Sequence, residues 1–261
     1  MNHLSSFFPD PKGMRLHYQS WEASSKSYNK VALVLHGLGC HSGSYPTLVP
    51  ALVKDNFKVY ALDFAGFGAS PGQRGAGGTL AMADAIEALC RRIESAEGAR
   101  EIHLVAHSMG AVAALLFLKR YPARRTRLAA VAPLLFGVPV DATPEALAED
   151  EAHRERLAGD KAFAASIPNA LASDLDSAAK ALLADPSFLE GRKAVFLVGE
   201  SDPLVPYDRL KTASEALPLK ERRFASFPRE RHDPLGGKRG DAVAAAIIAW
   251  FSETKFEHKA P

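Results

Sequence analysis

The strongest constraint on this chain is a series of short apolar runs, each closed by glycine or a small polar residue. The first, KVALVLHG (30–37), is apolar almost throughout and closes at Gly37. KVYALDFAG (58–66), EIHLVAHS (101–108), RLAAVAPL (127–134) and KAVFLVGES (193–201) repeat the pattern. A strand with one wet face alternates apolar and polar residues, whereas a strand covered on both faces reads as a continuous apolar run. RLHYQSW (15–21) alternates and reads as half-buried, and the more polar ERRFASFP (221–228) belongs near a sheet edge. Helical patterns lie between the runs. Residues 79–96 place Leu80, Ala83, Ile86, Leu89, Cys90 and Ile93 on one stripe, with Thr79 as the expected N-cap. MGAVAALLFLKRY (109–121) is apolar nearly all round and should be buried, and DAVAAAIIAWFSE (241–253) is a third helix. This alternation predicts an α/β fold, a mostly parallel central sheet with helices on both faces.

Residues 137–190 break the rhythm, because the segment is much too long for one crossover between two strands. It reads as short helices, starting at Thr143-Pro144-Glu145 and punctuated by Gly159, Pro168 and Pro186. We therefore expect a core of 1–136 and 191–261 with a helical cap, or lid, at 137–190. The charged stretch EDEAHRER (149–156) should face solvent, since burying such side chains unpaired is costly.

Composition narrows the function by exclusion. A formal net charge of +2 gives no electrostatic reason to expect nucleic acid as a partner. The basic run KRYPARRTR (119–127) reads as a solvated helix end. Cys40 and Cys90 lie far apart and form no metal-binding spacing, so two reduced thiols in a cytoplasmic protein are expected. The start MNHLSSFFPDPKG has neither the basic head nor the apolar run of a signal peptide, and the tail SETKFEHKAP reads as solvated chain end. No apolar stretch reaches the roughly 18 residues of a membrane span.

The chemistry centres on VAHSMG (105–110), where Ser108 stands between a predicted strand and a predicted helix. A serine there is either a helix N-cap or a nucleophile raised on a sharp turn, with helix N–H groups aimed at the reacting carbonyl. The turn needs small residues two before and two after, and here they are Ala106 and Gly110. Three further features favour the nucleophile. LHGLGCHSGSY (35–45) follows a strand, so the N–H of Leu38 and that of Met109 can form a two-donor oxyanion hole. Asp202 follows the strand 193–201, and His232 follows the strand 221–228. The order Ser108, Asp202, His232, each just past a strand, is that of the nucleophile-elbow folds. Elimination supports His232, because the other histidines precede Asp202 or, like His258, lie in the tail. His107 should point away from Ser108 by strand alternation, and His36 should brace the oxyanion turn. For the acid, Asp208 lies too far into the next helix and Asp233 adjoins the base, which leaves Glu200 as the rival to Asp202. Leu135 and Phe136 at the start of the insertion, with Phe163 and Ile167 inside it, could line an acyl groove or simply fix the insertion to the sheet.

The set LHGLGCHSGSY, LDFAGFGASPGQRG, AHSMGA, GESDPLVP and RHD resembles the monoacylglycerol lipase and lysophospholipase branch of the α/β-hydrolases, over about residues 12–252. The resemblance implies a serine esterase with a cap, no cofactor and no metal, acting on single-chain lipid esters, and a cap that touches a lipid surface transiently. Departures are Ala106 and Ala111 in place of glycines, Cys40 where an acidic residue is common, and Asp233 where glutamate is usual. Small-ester and aryl esterases, thioesterases, C–C hydrolases and perhydrolases share the fold and the triad. A catalytically silent ligand-binding hydrolase fold is the reading from another class.

Overall fold

The computed structural model describes residues 1–25, 28–98, 101–138 and 142–253. The tail from residue 254, and 139–141 within the expected insertion, lie outside the described residues. Eight strands form one sheet: β1 (Asn2–Pro9), β2 (Arg15–Glu22), β3 (Lys30–Leu35), β4 (Phe57–Leu62), β5 (Ile102–His107), β6 (Arg127–Val131), β7 (Lys193–Gly199) and β8 (Glu221–Phe227). Their order is β1-β2-β4-β3-β5-β6-β7-β8. The first two pairings are antiparallel, and all from β4 onward are parallel. The expected α/β-hydrolase topology, with a mostly parallel sheet and β8 at an edge, is the one observed.

The helices of the main fold are α1 (Leu48–Lys54), α2 (Gly78–Glu97) and α3 (Met109–Arg120). Between β6 and β7 lie α4 (Pro144–Leu147), α5 (Glu151–Gly159) and α6 (Asn169–Ala184), and α7 (Tyr207–Ala216) and α8 (Gly240–Phe251) follow β7 and β8. One face of the sheet packs with α2, α3, α6 and α7 around Leu33, Leu104, Phe117, Leu175 and Leu210. The other packs with α1 and α8 around Val34, Val105, Leu52 and Trp250. This two-sided cover is why β3, β5 and β6 read as continuous apolar runs. Trp250 is fully buried and donates from Nε1 to Leu128 O at 3.1 Å, which ties α8 to β6.

Several local expectations need correction. β1 has no counterpart in the sequence reading. Its burial is slight, and its pairing with β2 supplies the order that its own side chains do not. The N-cap of α2 is Gly77, at φ 83°, two residues before the expected Thr79. Thr79 is buried instead, and the carboxylate that accepts from its N–H, at 2.6 Å, belongs to Asp174 of α6. A tertiary partner thus fills the role given to a local cap. Leu80, placed on the apolar stripe, is 55% exposed, and Met82 takes the buried position. In the insertion, Thr143 does cap α4, and α5 and α6 begin after Asp150 and Pro168. The basic run 119–127 is largely paired: Lys119 with Asp185, Arg120 with Asp84, and Arg124 with Glu87 and Glu94.

Candidate active site

Ser108 sits between the end of β5 and the start of α3 with φ 56° and ψ −116°. A non-glycine residue there stores backbone strain, which a fold keeps only where its surroundings hold it. Here Ser108 N donates to Val131 O at 2.8 Å, and Ala111 N donates to Ser108 O at 3.0 Å. The turn is also tight on the side of β3. A Cβ on Gly110 would stand 2.5 Å from Leu35 O and 2.7 Å from His36 O, so only glycine lets α3 enter this close. Gly110→Ala should therefore cost about 2–4 kcal/mol of stability, because the opposing atoms are backbone and cannot step aside. A urea midpoint unchanged from wild type would contradict the tightness of the elbow. Ala106 is wholly buried and pairs in register with Leu35 and Ala130, so its methyl is part of the packed sheet.

Ser108, Asp202 and His232 come together. His232 Nε2 lies 2.7 Å from Ser108 Oγ, and His232 Nδ1 lies 2.8 Å from Asp202 Oδ2. The other carboxylate oxygen of Asp202 accepts from Leu204 N at 2.7 Å and Val205 N at 3.0 Å. The loops after β7 and β8 are also tied to each other, with Glu200 N donating to Phe227 O and Ser201 N to Glu230 O, both at 3.0 Å. Acid and histidine are thus set by backbone as well as by their mutual hydrogen bond. Glu200, the rival acid, is exposed and bonded by Ser226 Oγ at 2.7 Å. Asp208 is in the first turn of α7. Asp233 is buried but faces His153, with Oδ2 3.2 Å from His153 Nε2.

Leu38 and Met109 are both buried; Leu38 follows Gly37, where a Cβ would stand 2.9 Å from Ser108 Cβ, and Met109 heads α3, where N–H groups lack helical acceptors. His36 braces the turn as expected. Its Nδ1 lies 2.9 Å from Gly37 O, and its Nε2 accepts from Phe64 N at 3.1 Å. That pattern fixes a neutral ring protonated at Nδ1, and burial, opposed by the charge of Asp63, pulls its pKa down to about 4. Burial pushes the Cys40 thiol up, and both cysteines are free and buried.

The four residues given to an acyl groove belong to, or pack against, one apolar cluster. Phe163 lies against Gly39 of the oxyanion turn, where Ala164 N donates to Gly39 O at 2.9 Å. Leu135 and Ile167 are buried in the main core, and Phe136 lies under the guanidinium of Arg209 at 4.7 Å. Two further residues at the site were missed. His107, set aside because it points away from Ser108, lies behind His232 with Nε2 3.1 Å from His232 O. His153, expected to face solvent, is 1% exposed and packs against the His232 loop. The one signal for either was Asp233, a charged residue beside a predicted catalytic histidine.

A second Ser–His–Asp array exists. Ser5 Oγ is 2.7 Å from His17 Nε2, and His17 Nδ1 is 2.7 Å from Asp63 Oδ2. Ser5 stands in the middle of β1, however, with neither a sharp turn nor a helix N-terminus to supply oxyanion donors. Asp63 also accepts from Ser42 N at 2.6 Å and Ala69 N at 2.9 Å, which marks it as a structural hub behind the oxyanion turn.

These groups predict acid lability. Burial pulls His36 and His103 down to about 4, so both are neutral when folded, while the unfolded chain binds protons from about pH 6.5 downward. Their stability contribution, roughly 3 kcal/mol each at most, is present above pH 6.5 and lost as pH falls toward 4. Burial pushes Asp63 and Asp233 up, but hydrogen bonds and nearby histidines outweigh it and hold both at about 2. Their contribution is present above about pH 4 and lost between pH 4 and 2. Urea midpoints should fall in two stages over those windows. A stability flat from pH 7 to pH 4 would contradict the neutral buried histidines.

A family profile described as serine aminopeptidase, S33, matches residues 26–145. Among solved structures, the chain is similar to a monoacylglycerol lipase from Paleococcus ferrophilus, with TM-score 0.81, 20% identity, and 92% of this chain and 99% of that one covered. A soluble variant of monoglyceride lipase from Saccharomyces cerevisiae matches with TM-score 0.83, 14% identity, and coverage of 98% and 97%. A thermostable carboxyl esterase from Bacillus coagulans matches with TM-score 0.83, 15% identity, and coverage of 97% and 99%. No curated protein matches significantly by sequence. The chain has the α/β-hydrolase fold, and its structural neighbours include monoacylglycerol lipases and esterases.

Proposed function

We propose that the protein is a serine esterase that cleaves carboxylic esters, with single-chain lipid esters such as monoacylglycerols as its preferred class. The observation that carries this reading is the continuous array Ser108–His232–Asp202, at 2.7 and 2.8 Å, on a strained strand-to-helix turn. His232 takes the Ser108 proton as Oγ attacks the ester carbonyl, and the Leu38 and Met109 N–H groups hold the oxyanion. His232 then returns the proton to the leaving alcohol. Water, activated by the same ring, releases the acid from the acyl-enzyme.

The acidic groups nearby favour an ester over a peptide N-terminus. Asp202 holds His232, Asp233 faces His153, and Glu200 is turned outward, so each is already engaged. The insertion 137–190 acts as a cap that selects the acyl chain, and its Phe163 lies against Gly39 of the oxyanion turn. The two buried free thiols and the absence, among the described residues, of a helix able to cross a membrane agree with a cytoplasmic enzyme. The test is a panel of p-nitrophenyl esters from two to eighteen carbons, with monoacylglycerols, acyl thioesters and an aminoacyl p-nitroanilide. Preference for single-chain acyl esters supports the reading. Preference for the anilide or the thioesters replaces it.

A further inference from the structure

The loop between β8 and α8, 228–239, carries His232 and is clasped by the segment 144–159 at three successive points. Arg231 donates to Glu149 Oε2 at 3.0 Å and to Glu145 O at 2.8 Å. Asp233 N donates to Leu147 O at 2.8 Å. Arg156 donates to Gly236 O at 2.8 Å. Between them, His153 of α5 reaches down with its ring, and Nε2 ends 3.2 Å from Asp233 Oδ2, both side chains being almost fully buried. Gly236 makes room, since a Cβ there would stand 2.4 Å from His153 Nε2. On the opposite side His107 Nε2 reaches His232 O. Asp233 Oδ1, His107 Nδ1 and His153 Nδ1 are buried without a hydrogen-bond partner. The Asp233 carboxylate therefore depends on His153 for its one side-chain bond, and a buried charge that loses such a partner rotates or takes up a proton.

We propose that His153 is a positioning residue for His232, acting through Asp233, so that the insertion sets the geometry of the catalytic histidine as well as covering the site. The titratable groups around the pair are Asp150 and Arg156 on α5, Glu230 and His232 on the loop, and His107 at the end of β5. Asp150 caps α5 through His153 N, Arg156 is bonded to Gly236 O, and Glu230 accepts from Arg239 N. None of these bonds the Asp233 carboxylate, so none replaces His153 when it is removed.

The proposal rests on Ser108, His232 and Asp202 being the esterase triad. Its test uses His153→Ala, His153→Gln, Asp233→Asn and the double variant His153→Ala/Asp233→Asn. The measurements are kcat and KM on p-nitrophenyl butyrate, and the low-field proton resonance of His232 Nδ1–H, which needs no turnover. His153→Ala should lower kcat about tenfold or more, because small misplacements of a catalytic group cost that much. KM should stay within about twofold of wild type, since no ester-binding contact is lost. The low-field resonance should move or broaden. His153→Gln, which can still donate to Asp233, should recover most of the loss. The double variant should be no worse than the poorer single one, because the two residues act as one unit. Gly236→Ala, which displaces the ring without removing it, should reproduce the kcat defect. The proposal is overturned if His153→Ala keeps wild-type kcat and resonance, or if His153→Gln is as impaired as His153→Ala. Absence of both ester hydrolysis and fluorophosphonate labelling in the wild type would instead overturn the esterase reading, and the resonance would still report the coupling.

Discussion

Ser108→Ala is expected to reduce ester hydrolysis by about a millionfold, the scale seen when a triad nucleophile is removed from an otherwise intact site. Fluorophosphonate labelling should vanish with it. The fold should survive, because the Ser108 side chain makes one hydrogen bond, to His232, and the elbow is held by backbone bonds from Ser108 N and to Ser108 O. Ser108→Gly should be equally inactive but more stable than Ser108→Ala, since φ 56° is strained for any residue with a Cβ. Melting temperatures of the two variants compare these effects directly. Inactivity accompanied by unfolding would leave the nucleophile undemonstrated, which is why the more stable glycine variant belongs in the pair.

Asp202→Asn should cost about ten-thousandfold in kcat. The carboxylate accepts from His232 Nδ1, so it keeps the ring's lone pair at Nε2, facing Ser108. An asparagine amide can donate at the same place and present the opposite tautomer. The backbone N–H groups of Leu204 and Val205 hold the side chain in position, so the loss is electronic and not a collapse of the loop. Glu200→Gln should stay near wild-type activity, because Glu200 faces solvent and bonds Ser226. Equal losses in the two variants would show that the acid had been misassigned.

The parts of this architecture legible in the sequence are those set by burial on both faces of a strand or by the order of loops. The apolar runs at 30–37, 101–108 and 193–201 each became a buried parallel strand, and Ser108, Asp202 and His232 follow strands as that order requires. What escaped depends on partners distant in sequence. β1 is ordered by pairing with β2, not by its own pattern. The start of α2 is satisfied by Asp174, 95 residues away. His153 sits in a stretch so charged that solvent exposure was the natural reading, yet Asp233, beside His232, draws it inward. A local sequence window contains no trace of that pairing. Leu135, Phe136, Phe163 and Ile167 all join one apolar cluster, and apolar residues in such a segment fill core and line clefts with one vocabulary.

The central claim is that Ser108 carries the acyl group. The most direct measurement is acid quenching during turnover of a slow p-nitrophenyl ester, followed by peptide mapping of the acylated chain by mass spectrometry. The account predicts a single acyl adduct on the peptide containing Ser108, formed at the rate of the p-nitrophenol burst and absent from His232→Ala. An adduct on Ser5, which has its own hydrogen-bonded His17 and Asp63, or turnover with no adduct on Ser108, would contradict it.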